Sequence, residues 1–175
     1  MSAKSLYALF LLYLLSFAML WLLPASPLNN PHAHTEINDV TLLNPIQVGR
    51  VYRPTSTQEV SELLSRTHGP VSIGGGRYSM GGQIGADASL HLDMRGMDDI
   101  LELNAEERWV RVEAGVTWRK LIKHIDPHEL SVQVMQSYAN FTVGGAVSVN
   151  AHGRYMGQGA VVHSVREMTV VLASG

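Results

Sequence analysis

The sequence predicts an α+β fold of small sheets and two packed helices, preceded by one N-terminal transmembrane helix. Three observations carry this reading. Residues 6–23 read LYALFLLYLLSFAMLWLL without a charge. From Pro45 onward, short strand-like runs alternate with two capped segments of helical spacing. Two of the runs flank residues 104–108 and make a hairpin.

The 175 residues suffice for about one domain. A formal net charge of −2 and the lack of any basic run exclude nucleic acid as an expected partner. The chain has no cysteine, which excludes disulfides, cysteine-ligated zinc, iron–sulfur clusters and thiol catalysis.

As a helix the roughly 18 residues of the apolar run span about 27 Å, close to the bilayer core. Trp21 suits the interface. A cleaved signal peptide, leaving a secreted or periplasmic chain, is the rival. Its apolar stretch is usually only about 7–15 residues, with small residues before the cut. Leu23 and Pro24 stand where those are wanted, so an uncleaved single-pass anchor is the better reading. Lys4 favours a cytoplasmic start with the domain on the outer side. The organisation is then an anchor or signal over residues 1–25, a linker over 26–44 and a domain over 45–175. The linker is rich in Pro, Asn and small residues. Its His32 and His34 have no carboxylate or third histidine near, so a solvated tether is expected and no metal site.

In the domain, Ser56 caps a helix with Glu59 three residues on, a capping box. Val60, Leu63 and Leu64 follow at helical spacing, and Gly69-Pro70 ends the segment. Val71-Ser72-Ile73 is a short strand. Leu90, Leu92 and Met94 share one face of another. Ile100 to Leu103 and Trp109 to Glu113 are the hairpin strands. Thr117 caps a second helix with Trp118, Leu121, Ile122 and Ile125 on one face, stopped by Asp126-Pro127. Strands are expected over 131–134 and 165–172. His91 and the acidic residues Asp93, Asp98 and Asp99 read as structural, turn and cap residues. Pro127 separates His124 from His128 and argues against a shared metal.

Two glycine-bearing stretches carry the chemistry. GGGRYSMGGQ at 74–83 follows the strand VSI. Glycines at a strand end free backbone amides and leave no Cβ in the way of a ligand. Consecutive amides in a turn make a nest for anions, and phosphate is the natural guest. Two familiar phosphate loops fail on named residues. Gly76 to Gly81 has the spacing of GxxxxGK[ST], but Gly82 and Gln83 replace the cation and the hydroxyl. Read from Gly74, GxGxxG has Ser79 in its third place and no following helix. FTVGGAVSVNAHGR at 141–154 is the second stretch, with Thr142, Ser148, Asn150 and His152 among its glycines. The two could converge on one extended ligand with its phosphates between them.

VSIGGGRYSMGG, HLDMRGMDDILELN, WVRVEAGVTWRKL and NFTVGGAVSVNAHG, in this order and spacing, resemble the FAD-binding domain of flavoenzymes of the vanillyl-alcohol oxidase and p-cresol methylhydroxylase (PCMH) type. The likeness runs from about Asn44 to Gly175. It implies two small α+β subdomains, here incomplete, that grip an extended FAD, with a C-terminal substrate domain lying beyond this chain. By resemblance, Gly74, Gly75, Gly76, Arg77, Tyr78 and Ser79 match the first pyrophosphate loop. Gly144, Gly145, Ser148, Asn150, His152 and Gly153 match the second. Arg77 adds charge to the phosphates or forms a surface salt bridge. His152 tunes the flavin or simply hydrogen-bonds to backbone or cofactor.

Many relatives carry a flavin-linked histidine where Arg77 stands, and others use a cysteine near the second loop. Non-covalent FAD is therefore expected. The resemblance implies a membrane-anchored FAD-dependent oxidoreductase that oxidises the CH–OH group of a hydroxy acid, sugar or related alcohol by hydride transfer. No catalytic residue is assigned. The alternatives are a non-catalytic FAD-binding module or remnant needing a partner chain, and a tethered protein for another phosphate ligand.

Overall fold

The computed structural model describes residues 35–175. The apolar run expected to anchor the chain, and the His32/His34 pair, lie outside the described residues. Among the described residues no helix is long and apolar enough to cross a membrane.

Three small sheets form. Strands β1 (Glu36–Ile37) and β2 (Ile46–Gln47) are antiparallel. Strands β3 (Arg50–Tyr52), β4 (Val71–Gly74) and β5 (Leu90–Asp93) run parallel in the order β3-β5-β4. Strands β6 (Ile100–Asn104) and β7 (Trp109–Val112) form the expected hairpin, with a register irregularity between Ile100 and Glu102. One parallel sheet beside two antiparallel pairs makes the domain a mixed fold of α and β elements. Helix α1 (Thr57–Ser65) crosses from one edge strand, β3, to the other, β4. The chain then returns to the centre as β5. A central strand is covered on both sides, and His91 and Leu92 are fully buried.

Two main cores share one compact unit among the described residues. The first joins Val60 of α1 to Leu92 and Met97. The second joins Trp118, Leu121 and Ile125 of α2 (Trp118–Ile125) to Val116, Val134, Met135, Ala146 and Val161. Ile100, Leu103, Val110 and Val112 of the hairpin pack against this second core. Both predicted caps are present: Ser56 Oγ accepts from Glu59 N at 3.2 Å, and Thr117 Oγ1 from Lys120 N at 3.2 Å. Glu59 reaches back one residue further than a standard capping box, to Thr55 N at 2.7 Å.

Four sequence expectations are corrected. Residues 131–134 form no strand, because neighbours Val134 and Met135 both fill the core instead of alternating. Residues 165–172 form none either, because no described strand offers them a ladder. Met94 leaves β5 and opens a 3-10 turn, Met94–Gly96, capped by Asp93. Helix α2 ends at Ile125, as Asp126-Pro127 predicts, and a second 3-10 turn, Asp126–His128, follows it. Finally, residues 35–44 are not a solvated tether. Ile37 packs with Val48 and Ile84, and Asp39 is buried.

Candidate functional site

The first glycine stretch leaves β4 at Gly74, whose ladder partner is Asp93. From Gly75 to Met80 no backbone N–H finds an acceptor among the described residues. Consecutive free amides of this kind bind anions. The stretch is held from outside by the folded end of the linker. Val40 N donates to Arg77 O at 3.0 Å, Asn44 Nδ2 to Met80 O at 3.2 Å, and Gly82 N to Asp39 Oδ2 at 3.3 Å.

Neighbouring protein atoms crowd the space opened by the missing Cβ atoms. A Cβ on Gly74 would lie 2.8 Å from His91 Nε2. One on Gly75 would collide with Thr142 Oγ1, and one on Gly76 would meet Asn140 O at 3.2 Å. Tyr78 packs edge-on against Phe141 at 4.7 Å and Tyr138 at 5.3 Å between centroids. The glycines therefore let the first stretch close onto residues 138–142, directly before the second stretch.

Arg77 adopts φ 63°, and its guanidinium turns beneath the loop toward β5. It reaches Asp93 at 3.4 Å, with its side chain only 20% exposed, so the pair is half-buried and not a loose surface bridge. Asp93 is already taken by Arg95, which donates from Nε at 2.7 Å, from Nη2 and from its backbone N. Burial pushes the Asp93 carboxyl up, but the hydrogen bonds and charge of Arg95, with the charge of Arg77, outweigh it and hold it below its ordinary value. Two guanidiniums share one carboxylate. The cluster beneath the free amides thus carries one excess positive charge.

The second stretch contains helix α3 (Val143–Ser148), which the sequence reading lacked. Thr142 caps it through Gly145 N at 3.3 Å, and burial of Ala146 offsets the poor helix propensity of its glycines. Val143 N donates to Val116 O at 2.7 Å and Gly144 N to Ala114 O at 2.8 Å. The amides that open α3 are spent on protein. Close approach to Ala114 also explains Gly144, where a Cβ would sit 2.7 Å from the Ala114 Cβ.

The predicted residues thus divide. Gly75, Gly76 and Tyr78 meet the segment that leads into Gly144 and Gly145, whereas Gly74 and Arg77 face His91 and Asp93 of β5. Ser79 is exposed beside them. Ser148, Asn150, His152 and Gly153 make no hydrogen bond to the first stretch. Ser148 Oγ donates to Gly144 O at 2.8 Å, and Asn150 Oδ1 accepts from Val162 N at 3.3 Å. His152 is exposed and contacts Gly153 O through Nδ1 at 3.1 Å. Gly153 is fixed by close approach to Met135 O. Sequence reasoning missed Thr142 and Asn140 as the seam between the stretches, and the joint role of His91, Asp93 and Arg95 beneath the loop. The pattern Thr-Val-Gly-Gly-Ala was a readable cap signal. Among the described residues, no group of three His, Cys, Asp or Glu side chains could hold a metal ion.

Comparison with known proteins agrees with this geometry. A family described as "FAD binding domain" matches residues 48–175. L-gulonolactone oxidase of Mus musculus is 28% identical over 127 residues, covering 71% of this chain and 29% of that protein. D-2-hydroxyglutarate dehydrogenase of Haemophilus influenzae is 35% identical over 136 residues, covering 77% and 13%. Alditol oxidase of a Streptomyces species is 27% identical over 127 residues, covering 71% and 30%. The chain thus spans under a third of these relatives. Among solved structures, an alkyldihydroxyacetonephosphate synthase shares the fold at TM-score 0.63 and 21% identity, over 75% of this chain and 25% of the other. Cholesterol oxidase from B. sterolicum does so at 0.59 and 19%, over 68% and 24%. The chain belongs to the FAD binding domain family, within the FAD-linked oxidases and dehydrogenases of vanillyl-alcohol oxidase and PCMH type, and its cofactor is FAD.

Proposed function

We propose that this chain is the FAD-gripping part of an oxidoreductase that oxidises the CH–OH group of a hydroxy acid, sugar or related alcohol. One observation carries it: the loop whose amides from Gly75 to Met80 are unpaired also supplies Arg77 to a half-buried cluster with one excess positive charge. That arrangement fits the diphosphate of FAD. Gly74 to Ser79 bind it, Gly144 and Gly145 set the facing wall, and Ser148, Asn150, His152 and Gly153 line the continuation toward the flavin. When bound, FAD supplies the hydride-accepting ring. The chain's own residues bind and orient it.

Binding is non-covalent, because Arg77 offers no nucleophile at the place where relatives link the ring, and no cysteine is present. Acid denaturation of the flavin-loaded protein should release all of the colour. Flavin retained in the precipitate refutes non-covalent binding. A colourless protein that gains no thermal stability from added FAD refutes the cofactor reading as a whole.

Coverage of under a third of each curated relative above favours a second reading, an FAD-binding module that works with a further domain or partner chain. Turnover by this chain alone on hydroxy-acid, sugar or alditol substrates separates the two. Residues 6–23 serve as a single-pass anchor with the domain on the outer side. Alkaline carbonate should leave the protein in the membrane pellet, and release into the supernatant sinks the anchor.

A further inference from the structure

Two buried side-chain atoms beneath the first loop have no partner among the described residues: Arg77 Nε and His91 Nε2. Both face one small volume. A Cβ on Gly74 would lie 2.8 Å from His91 Nε2 and 3.9 Å from Arg77 Nε, so only glycine lets both atoms approach there.

A chain of hydroxyls fixes the histidine proton. Ala86 O can only accept, and Ser89 Oγ donates to it at 2.7 Å. Ser89 Oγ therefore accepts from Ser72 Oγ at 2.7 Å. Having spent its proton, Ser72 Oγ accepts from His91 Nδ1 at 2.9 Å. His91 is the Nδ1–H tautomer, and its Nε2 presents a lone pair. Arg77 Nε carries a proton that no group takes. Asp93 is committed to Arg95 and leaves Arg77 one long contact at 3.4 Å.

We propose that His91 is a positioning residue: its Nε2 accepts the Arg77 Nε–H when an anion binds the first loop, fixing the guanidinium beneath the free amides. The inference rests on the FAD reading for the identity of that anion. Burial matches the donor and acceptor to each other, because neither can reach bulk water. His91 faces the charges of Arg77, Asp93 and Arg95 and stays neutral among them.

The test uses the full chain in detergent with 15N-labelled arginine and histidine. A through-bond coupling between Arg77 Nε and His91 Nε2 is expected on adding inorganic pyrophosphate or FAD. No coupling with either overturns the proposal, whether or not FAD binds. Coupling with pyrophosphate in a protein that binds no FAD would instead leave the His91 role standing and sink the FAD reading. Binding gives the second readout. His91→Asn keeps a partner for Ser72 but deletes the acceptor, and should weaken the anion it holds, FAD or pyrophosphate, at least fivefold. His91→Gln places an amide oxygen near the Nε2 position and should restore affinity to within twofold. Equal affinities for His91→Asn and the wild type, or losses that merely track the melting temperature in both variants, overturn it.

Discussion

Lowering the pH should destabilise this domain through one buried side chain. His91 is fully buried in β5, and burial together with the neighbouring charge of Arg77 lowers its pKa from 6.5 to about 4. Asp93 opposes that shift and Arg95 adds to it. The unfolded chain takes up the proton near 6.5, whereas the folded chain refuses it until about 4. Across that window the unfolded state binds more protons, so stability is full at neutral pH and falls as the pH falls. The gap between the two values corresponds to a total of about 3 kcal/mol, of which about 2 kcal/mol is already lost at pH 5. Urea unfolding of wild type and His91→Gln at pH 7.5, 6 and 5 measures it. The variant cannot titrate there, so its stability relative to wild type should rise by about 2 kcal/mol between pH 7.5 and 5. Asp93, held below its ordinary 3.8, does not contribute in this range. Parallel pH profiles for the two proteins would refute a neutral buried His91.

The remaining predictions concern the seam and the charge cluster. Gly75→Ala drives a Cβ into Thr142 Oγ1 and should cost about 1–3 kcal/mol in thermal unfolding. Thr142→Ala removes the α3 cap and should cost about 1 kcal/mol, while the double variant should lose less than the two together because the obstructing hydroxyl is gone. Asp93→Asn leaves two guanidiniums without their counter-charge, and should cost roughly 1–3 kcal/mol after allowance for the exposure of Arg95. Added pyrophosphate should raise the melting temperature of Asp93→Asn more than that of wild type, as a second anion replacing the lost one.

What the sequence revealed depended on how local the cause was. The caps at Ser56 and Thr117, the hairpin and the apolar face of α2 all follow from side chains within a few residues, and each was legible. Residues 131–134 and 165–172 looked equally strand-like. A strand also needs a partner for its backbone, and no local pattern reveals that. Helix α3 was hidden by its glycines, whose low propensity is overridden by the Thr142 cap and the burial of Ala146. The glycine run after β4 was legible as a stretch of uncommitted amides. Their neighbours were not, because His91, Asp93 and Arg95 join Arg77 only through the parallel pairing of β4 with β5.

The two glycine stretches look alike in sequence but divide the work unequally. In the second, the amides at 143–145 are committed to Val116, Ala114 and Thr142. They can shape a wall but have no hydrogen to give a phosphate. In the first, the amides from Gly75 to Met80 are uncommitted, and Arg77 of the same loop belongs to a cluster with one excess positive charge. On the proposed function, the first stretch holds the diphosphate and the second determines how the rest of an extended ligand leaves it. It follows that changes on the two sides should separate. Damage beneath the first loop should weaken any ligand that carries a diphosphate, whatever is attached to it. Damage along 148–153 should spare inorganic pyrophosphate and weaken only the complete dinucleotide.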